Sequence, residues 1–147
     1  MYELILNLLG KSVDGPEFRL LLNEVGAPSS VYDVPISEND TLRMFEYYDL
    51  GFGVSYSMQS QKFRMIGCEY RGTSKIRDMK PFPDAGPAGI NSRDSKRTVQ
   101  KKMSVLPLAS RKLKTYMRVT YATEPHIVEC QFNGNGHALM GFTVTLQ

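Results

Sequence analysis

At 147 residues, 41% apolar and 22% charged with a net charge of +3, the chain has the composition of a soluble globular protein long enough to bury a sizeable core. Its two cysteines, Cys68 and Cys130, are too few for a disulfide framework or a zinc site. No apolar run approaches the ~18–20 residues that a membrane span needs, so no membrane partner is expected.

The charge is unevenly spread. Residues 1–72 hold six Lys/Arg against ten Asp/Glu, net −4, and residues 73–147 hold twelve against five, net +7. Such asymmetry suits either a nucleic-acid surface or the steering of an oppositely charged protein partner. Eight methionines stand in for the missing tryptophan as bulky side chains, as core filler or as adaptable binding surface. The stretch from Met1 to Gly10 is apolar but has neither a positively charged start nor a small-residue cleavage site, and the expected location is the cytoplasm.

In chain order, residues 2–9 suit a short strand or the start of a helix. Asp14-Gly15-Pro16-Glu17 then opens a helix, with Asp14 as cap, Pro16 in the first turn and Glu17 facing the positive end of the dipole. Phe18, Leu21, Leu22 and Val25 recur at helical spacing, and Gly26 and Pro28 stop the helix after about ten residues. Residues 29–41 read as a polar connection. Strand patterns follow at 42–48, 53–58 and 63–70, the second alternating cleanly. Pro81, Pro83, Gly86, Pro87 and Gly89 mark a loop. Asp94-Ser95 caps a second helix carrying Val99 and Met103, with Pro107 just beyond it. Strands follow at 115–122, 126–133 and 138–146, the last two joined at Asn133-Gly134-Asn135-Gly136.

The second half replays the first. A shift of 74 places Phe45 on Val119, Tyr47 on Tyr121, Val54 on Val128, Tyr56 on Cys130 and Cys68 on Phe142. The expected architecture is therefore α+β: two tandem units, each a helix plus a three-stranded antiparallel meander, forming one continuous sheet with helices on one face. The first unit covers 1–72, a Pro/Gly-rich linker 73–89, and the second unit 90–147.

A helix ending at Gly26-x-Pro28, then a meander, then the whole unit again, resembles the β-lactamase-inhibitor-protein fold. The small lipoprotein of the outer-membrane assembly machinery has one such unit. The run from Leu8-Leu9-Gly10-Lys11 to Val25-Gly26-Ala27-Pro28 also resembles uncharacterised bacterial proteins with two units, some of them similar to immunity proteins of toxin systems. The resemblance implies a non-enzymatic protein that binds and neutralises a toxin or enzyme through its exposed sheet face.

Period two assigns the faces. Phe45, Tyr47, Val54, Tyr56, Met58, Ile66, Cys68 and Tyr70 belong to the core side, with Met117, Val119, Tyr121, Val128, Cys130, Phe132, Met140, Phe142 and Val144. The opposite side supplies the candidate partner-binding residues Leu42, Met44, Glu46, Met65, Glu69, Tyr116, Arg118, Glu129 and Gln131, a mixture suited to protein recognition. The alternative is a nucleic-acid module using Arg93, Lys96, Arg97, Lys101, Lys102, Arg111, Lys112 and Lys114, which no recognised nucleic-acid motif accompanies.

Nothing in the sequence organises catalysis. His126 and His137 have no metal-ligand spacing, the cysteines fall on core-facing positions, and no Gly-x-Ser-x-Gly elbow or phosphate loop occurs. No cofactor or metal is expected.

Overall fold

The computed structural model describes residues 1–71, 79–115 and 117–147. It contains helix α1 (Tyr2–Leu6), helix α2 (Pro16–Val25), and strands β1 (Ser30–Pro35), β2 (Thr41–Tyr47), β3 (Phe52–Ser57) and β4 (Lys62–Glu69). The second half contributes helix α3 (Lys96–Met103) and strands β5 (Leu108–Thr115), β6 (Arg118–Thr123), β7 (His126–Phe132) and β8 (Leu139–Leu146). All eight strands join one antiparallel sheet in the order β1-β2-β3-β4-β8-β7-β6-β5. Two meanders thus meet at the centre, where β4 pairs with β8 from Met65 opposite Thr145 to Glu69 opposite Gly141.

This corrects the expected architecture. The molecule is mostly one eight-stranded antiparallel sheet accompanied by three short helices, not two helix-plus-three-stranded units with helices on one face. Each meander has a fourth strand at its outer edge. β1 lies where residues 29–41 read as a polar connection, and β5 carries Arg111, Lys112 and Lys114 of the basic set, ahead of the strand expected at 115–122. Both are almost entirely exposed. An edge strand has a single neighbour to pair with, and these two bury so little that no period-two burial signal marks them.

The central elements follow their local chemistry. In α2, Gly15 rather than the expected Asp14 takes the cap position, with no side-chain cap bond, Pro16 follows as first helical residue, and Gly26 ends the helix at φ +76. Ser95 caps α3, its hydroxyl accepting from the Thr98 amide. Ile5, Phe18, Leu21, Val99 and Met103 from the helices join Val54, Ile66, Val128, Phe142 and Val144 from the strands in one hydrophobic cluster. Phe18 stacks on Phe45 with centroids 5.5 Å apart and leans on Phe63 at 4.9 Å. Residues 79–89, part of the expected linker, also enter the core. Phe82 is buried against Phe52, Tyr70 and Phe142, and its amide bonds the Glu69 carbonyl.

Cys68 and Cys130 are both free and buried. Each pairs with Phe142 from opposite sides, so the β8 strand lies between them at a separation of about 10 Å, beyond the reach of a disulfide.

Candidate protein-binding site on the outer sheet face

Residues paired across neighbouring strands share a face, so the register draws the outer surface row by row. One row runs Tyr32, Met44, Ser55, Met65, Thr145, Ile127. The next runs Ser30, Glu46, Gly53, Gly67, Thr143, Glu129, Thr120, Lys112. A third runs Glu69, Gly141, Gln131, Arg118.

The second row explains the shape. Gly53 and Gly67 stand side by side on the two inner strands of the first meander, and neither has a side chain to fill the surface. A hollow of about 340 Å³ opens there, walled by Tyr32, Met44, Glu46, Met65, Glu69 and Met79, with Ser55 and Thr143 also on its lining. A smaller hollow of about 60 Å³ continues it past Gly67 towards Glu129, Gln131 and Gly141. A Cβ on Gly53 would sit 2.7 Å from the Glu46 Oε2. Glycine at 53 is therefore what lets the Glu46 carboxylate lie across the sheet.

The electrostatics follow from burial. The Tyr32 hydroxyl donates to Glu46 Oε1 at 2.8 Å. Burial pushes the Glu46 carboxyl above its ordinary value, the Tyr32 bond opposes this, and nearby Glu69 adds to the rise. No cation among the described residues lies within ion-pair distance of Glu46. Ser55 is fully buried, and its Oγ has no hydrogen-bond partner among the described residues. Glu129, by contrast, accepts from Lys114 Nζ at 2.7 Å, with Arg118 Nη1 at 4.0 Å.

Of the residues predicted for partner binding, Met44, Glu46, Met65 and Glu69 line the main hollow, and Glu129 and Gln131 the smaller one. Arg118 sits beside Gln131 in the third row. Leu42 shares the outer face opposite Ser57, beyond the hollow. Tyr116 lies outside the described residues. Sequence reasoning missed Tyr32, because β1 itself was missed, and Gly53 and Gly67; period two places Ser55 on the outer side without marking it as a binding residue. Glycines inside strand patterns were the available signal.

The basic candidates are dispersed. Lys102 Nζ is held by buried Asp94 at 2.8 Å and by the Gly89 carbonyl at 3.0 Å. Arg111 lies on the inner row over the Tyr121 ring, whereas Lys112 and Lys114 belong to the outer face. Arg93, Arg97 and Lys101 are exposed around α3, and Lys96 is half-buried, its amide bonding the Gly136 carbonyl. Among the described residues, no three His, Cys, Asp or Glu side chains gather to hold a metal. His126 is half-buried and burial lowers its pKa, and His137 is exposed. Among the described residues, no helix is long and apolar enough to cross a membrane.

No protein-family model and no curated protein sequence matches the chain. Its fold is shared by solved structures, among them two secreted-type proteins. One is an extracellular protein containing a SCP domain from Bacillus anthracis, at TM-score 0.56 and 15% identity, covering 97% of this chain and 45% of that one. The other is a cysteine-rich secretory protein from Staphylococcus aureus, at TM-score 0.55 and 10% identity, covering 96% of this chain and 44% of that one. The chain thus spans less than half the length of either protein, and at these identities the likeness is one of fold alone.

Proposed function

We propose that the chain is a non-enzymatic protein-binding module that neutralises a partner protein, of inhibitor or immunity type, through the outer face of its sheet. The observation that carries this reading is the hollow over Gly53 and Gly67. It gathers methionine and tyrosine walls with two polar groups, Glu46 and Ser55, that have few partners among the described residues. Adaptable thioethers and a rigid phenol around a recess are the chemistry of a recognition surface. The two free, buried thiols suit a reducing compartment, in keeping with a cytoplasmic module. The dispersed basic residues give less support to nucleic-acid binding, since Lys102 and Lys114 already serve carboxylates within the fold.

The test is capture from nuclease-treated native lysate with wild-type protein, a Met44→Ala/Met65→Ala variant and an Arg97→Ala/Lys101→Ala variant. A stoichiometric protein partner retained by wild type and by the Arg97/Lys101 variant, and lost with the methionine variant, supports the reading. Retention that needs nucleic acid and disappears in salt overturns it in favour of the basic surface.

A further inference from the structure

We propose that the hollow receives an arginine side chain of the partner protein, its guanidinium bridging the Glu46 carboxylate and the Ser55 hydroxyl over the Gly53–Gly67 floor. The inference rests on the protein-binding reading and names what that surface recognises.

Two independent observations point to a cationic donor. Glu46 is a half-buried carboxylate whose one hydrogen-bond partner among the described residues is a neutral phenol. Tyr32 engages Oε1, which leaves Oε2, the oxygen lying over Gly53, to accept further bonds. A carboxylate taken out of water without a cation is costly, and the arrival of one offsets that cost. Ser55 supplies the second observation. It is fully buried, lines the same hollow, and its Oγ has no hydrogen-bond partner among the described residues. Buried hydroxyls are normally partnered, so an external donor is the natural completion.

The geometry selects arginine over lysine. Ser55 faces Met44 and Glu46 faces Gly53, so the two acceptors are diagonal neighbours on adjacent strands. Such positions lie about 7–8 Å apart, their Cβ atoms somewhat closer, and a planar fork with five donors spans the interval between two side chains reaching inward. An ammonium holds its three donors on a single nitrogen and spans less between two acceptors than the guanidinium fork does. Met44 and Met65 flank Ser55 in its row, and an entering group reaches the hydroxyl by moving their unbranched side chains aside. The Glu46 carboxylate on the wall disfavours an anionic ligand.

The probes are N-acetyl-arginine methylamide, its neutral citrulline counterpart and its lysine counterpart, each titrated into the ¹⁵N-labelled full chain. The expected result is saturable shifts at the amides of Gly53, Ser55 and Gly67 with the arginine probe, weaker binding of the lysine probe, and none with citrulline. Glu46→Gln weakens the arginine probe about tenfold or more, as loss of a charge-assisted bond does. Ser55→Ala weakens it severalfold while the spectrum stays dispersed, so misfolding does not mimic the outcome. Equal response to citrulline, tighter lysine than arginine, or an unchanged affinity in Glu46→Gln overturns the proposal. A captured partner that binds Glu46→Gln as well as wild type also overturns it, and leaves the protein-binding reading standing. Probe binding with no partner captured keeps the arginine site and sinks the neutralising role.

Discussion

Ser55→Ala is expected to stabilise the free protein. Ser55 sits in the middle of β3, fully buried, and its hydroxyl finds no partner within the described fold. A buried hydroxyl without a hydrogen bond costs about 1–3 kcal/mol relative to water. Alanine removes that cost. The lost atom is a single oxygen beneath the flexible Met44 and Met65 side chains, so the cavity penalty that accompanies most truncations is small here. Alanine is a poorer strand former, which takes back a few tenths of a kcal/mol. The net expectation is a gain of ~1 kcal/mol. Urea unfolding followed by circular dichroism reads it as a midpoint raised by about 0.5 M with unchanged slope. A thermal scan reads it as a melting point higher by roughly 2–4 °C. A variant that is less stable than wild type by more than ~0.5 kcal/mol refutes the reasoning, because it means the hydroxyl is satisfied in the free protein. The arginine site then loses its second anchor.

Glu46→Gln is expected to raise stability at neutral pH by up to ~1 kcal/mol, the figure being reduced because solvent reaches this half-buried group. The glutamine oxygen still accepts from Tyr32. Because burial raises the folded-state pKa of Glu46, its charge penalty is absent below the unfolded carboxylate value and grows as pH rises through the folded one. Melting points of wild type and variant therefore converge near pH 3 and separate towards pH 7, and a constant difference across that range contradicts the assignment. Lys102→Met strands the Asp94 carboxylate, leaving it the Asn91 amide at 2.9 Å. A loss of about 2–3 kcal/mol in urea unfolding is expected, at the lower end for a broken buried pair because Lys102 is partly exposed. Gly86→Ala would place a Cβ 2.5 Å from the Phe142 ring, and a destabilisation of about 1–3 kcal/mol by differential scanning calorimetry is expected from that overpacking. Burial pushes both thiols up, Cys130 to about 12, so neither Cys68 nor Cys130 should react with a thiol reagent until the protein is denatured.

Much of this molecule is local and was legible before folding. Pro16 at a helix start, Gly26 at its end and Ser95 as a cap act within a few residues of themselves, and α2 and α3 appear where those signals place them. The inner strands announce themselves by the alternation of apolar and polar residues, and in β4 burial follows it, with Ile66 and Cys68 buried and Met65 and Glu69 only partly so; β3 alternates in sequence but is buried on both sides, Ser55 included. The candidate face was readable for the same reason. What the chain could not declare locally depends on partners far away in sequence. Ser30–Pro35 and Leu108–Thr115 are strands because β2 and β6 offer them free edges, not because of any burial of their own. The central β4–β8 pairing brings residues some eighty positions apart into register. The hollow exists because that kind of pairing sets Gly53 against Gly67 and swings Tyr32 over Glu46. Secondary-structure propensity and face are properties of neighbours along the chain, whereas edge strands, register and the recess they enclose are properties of neighbours across it.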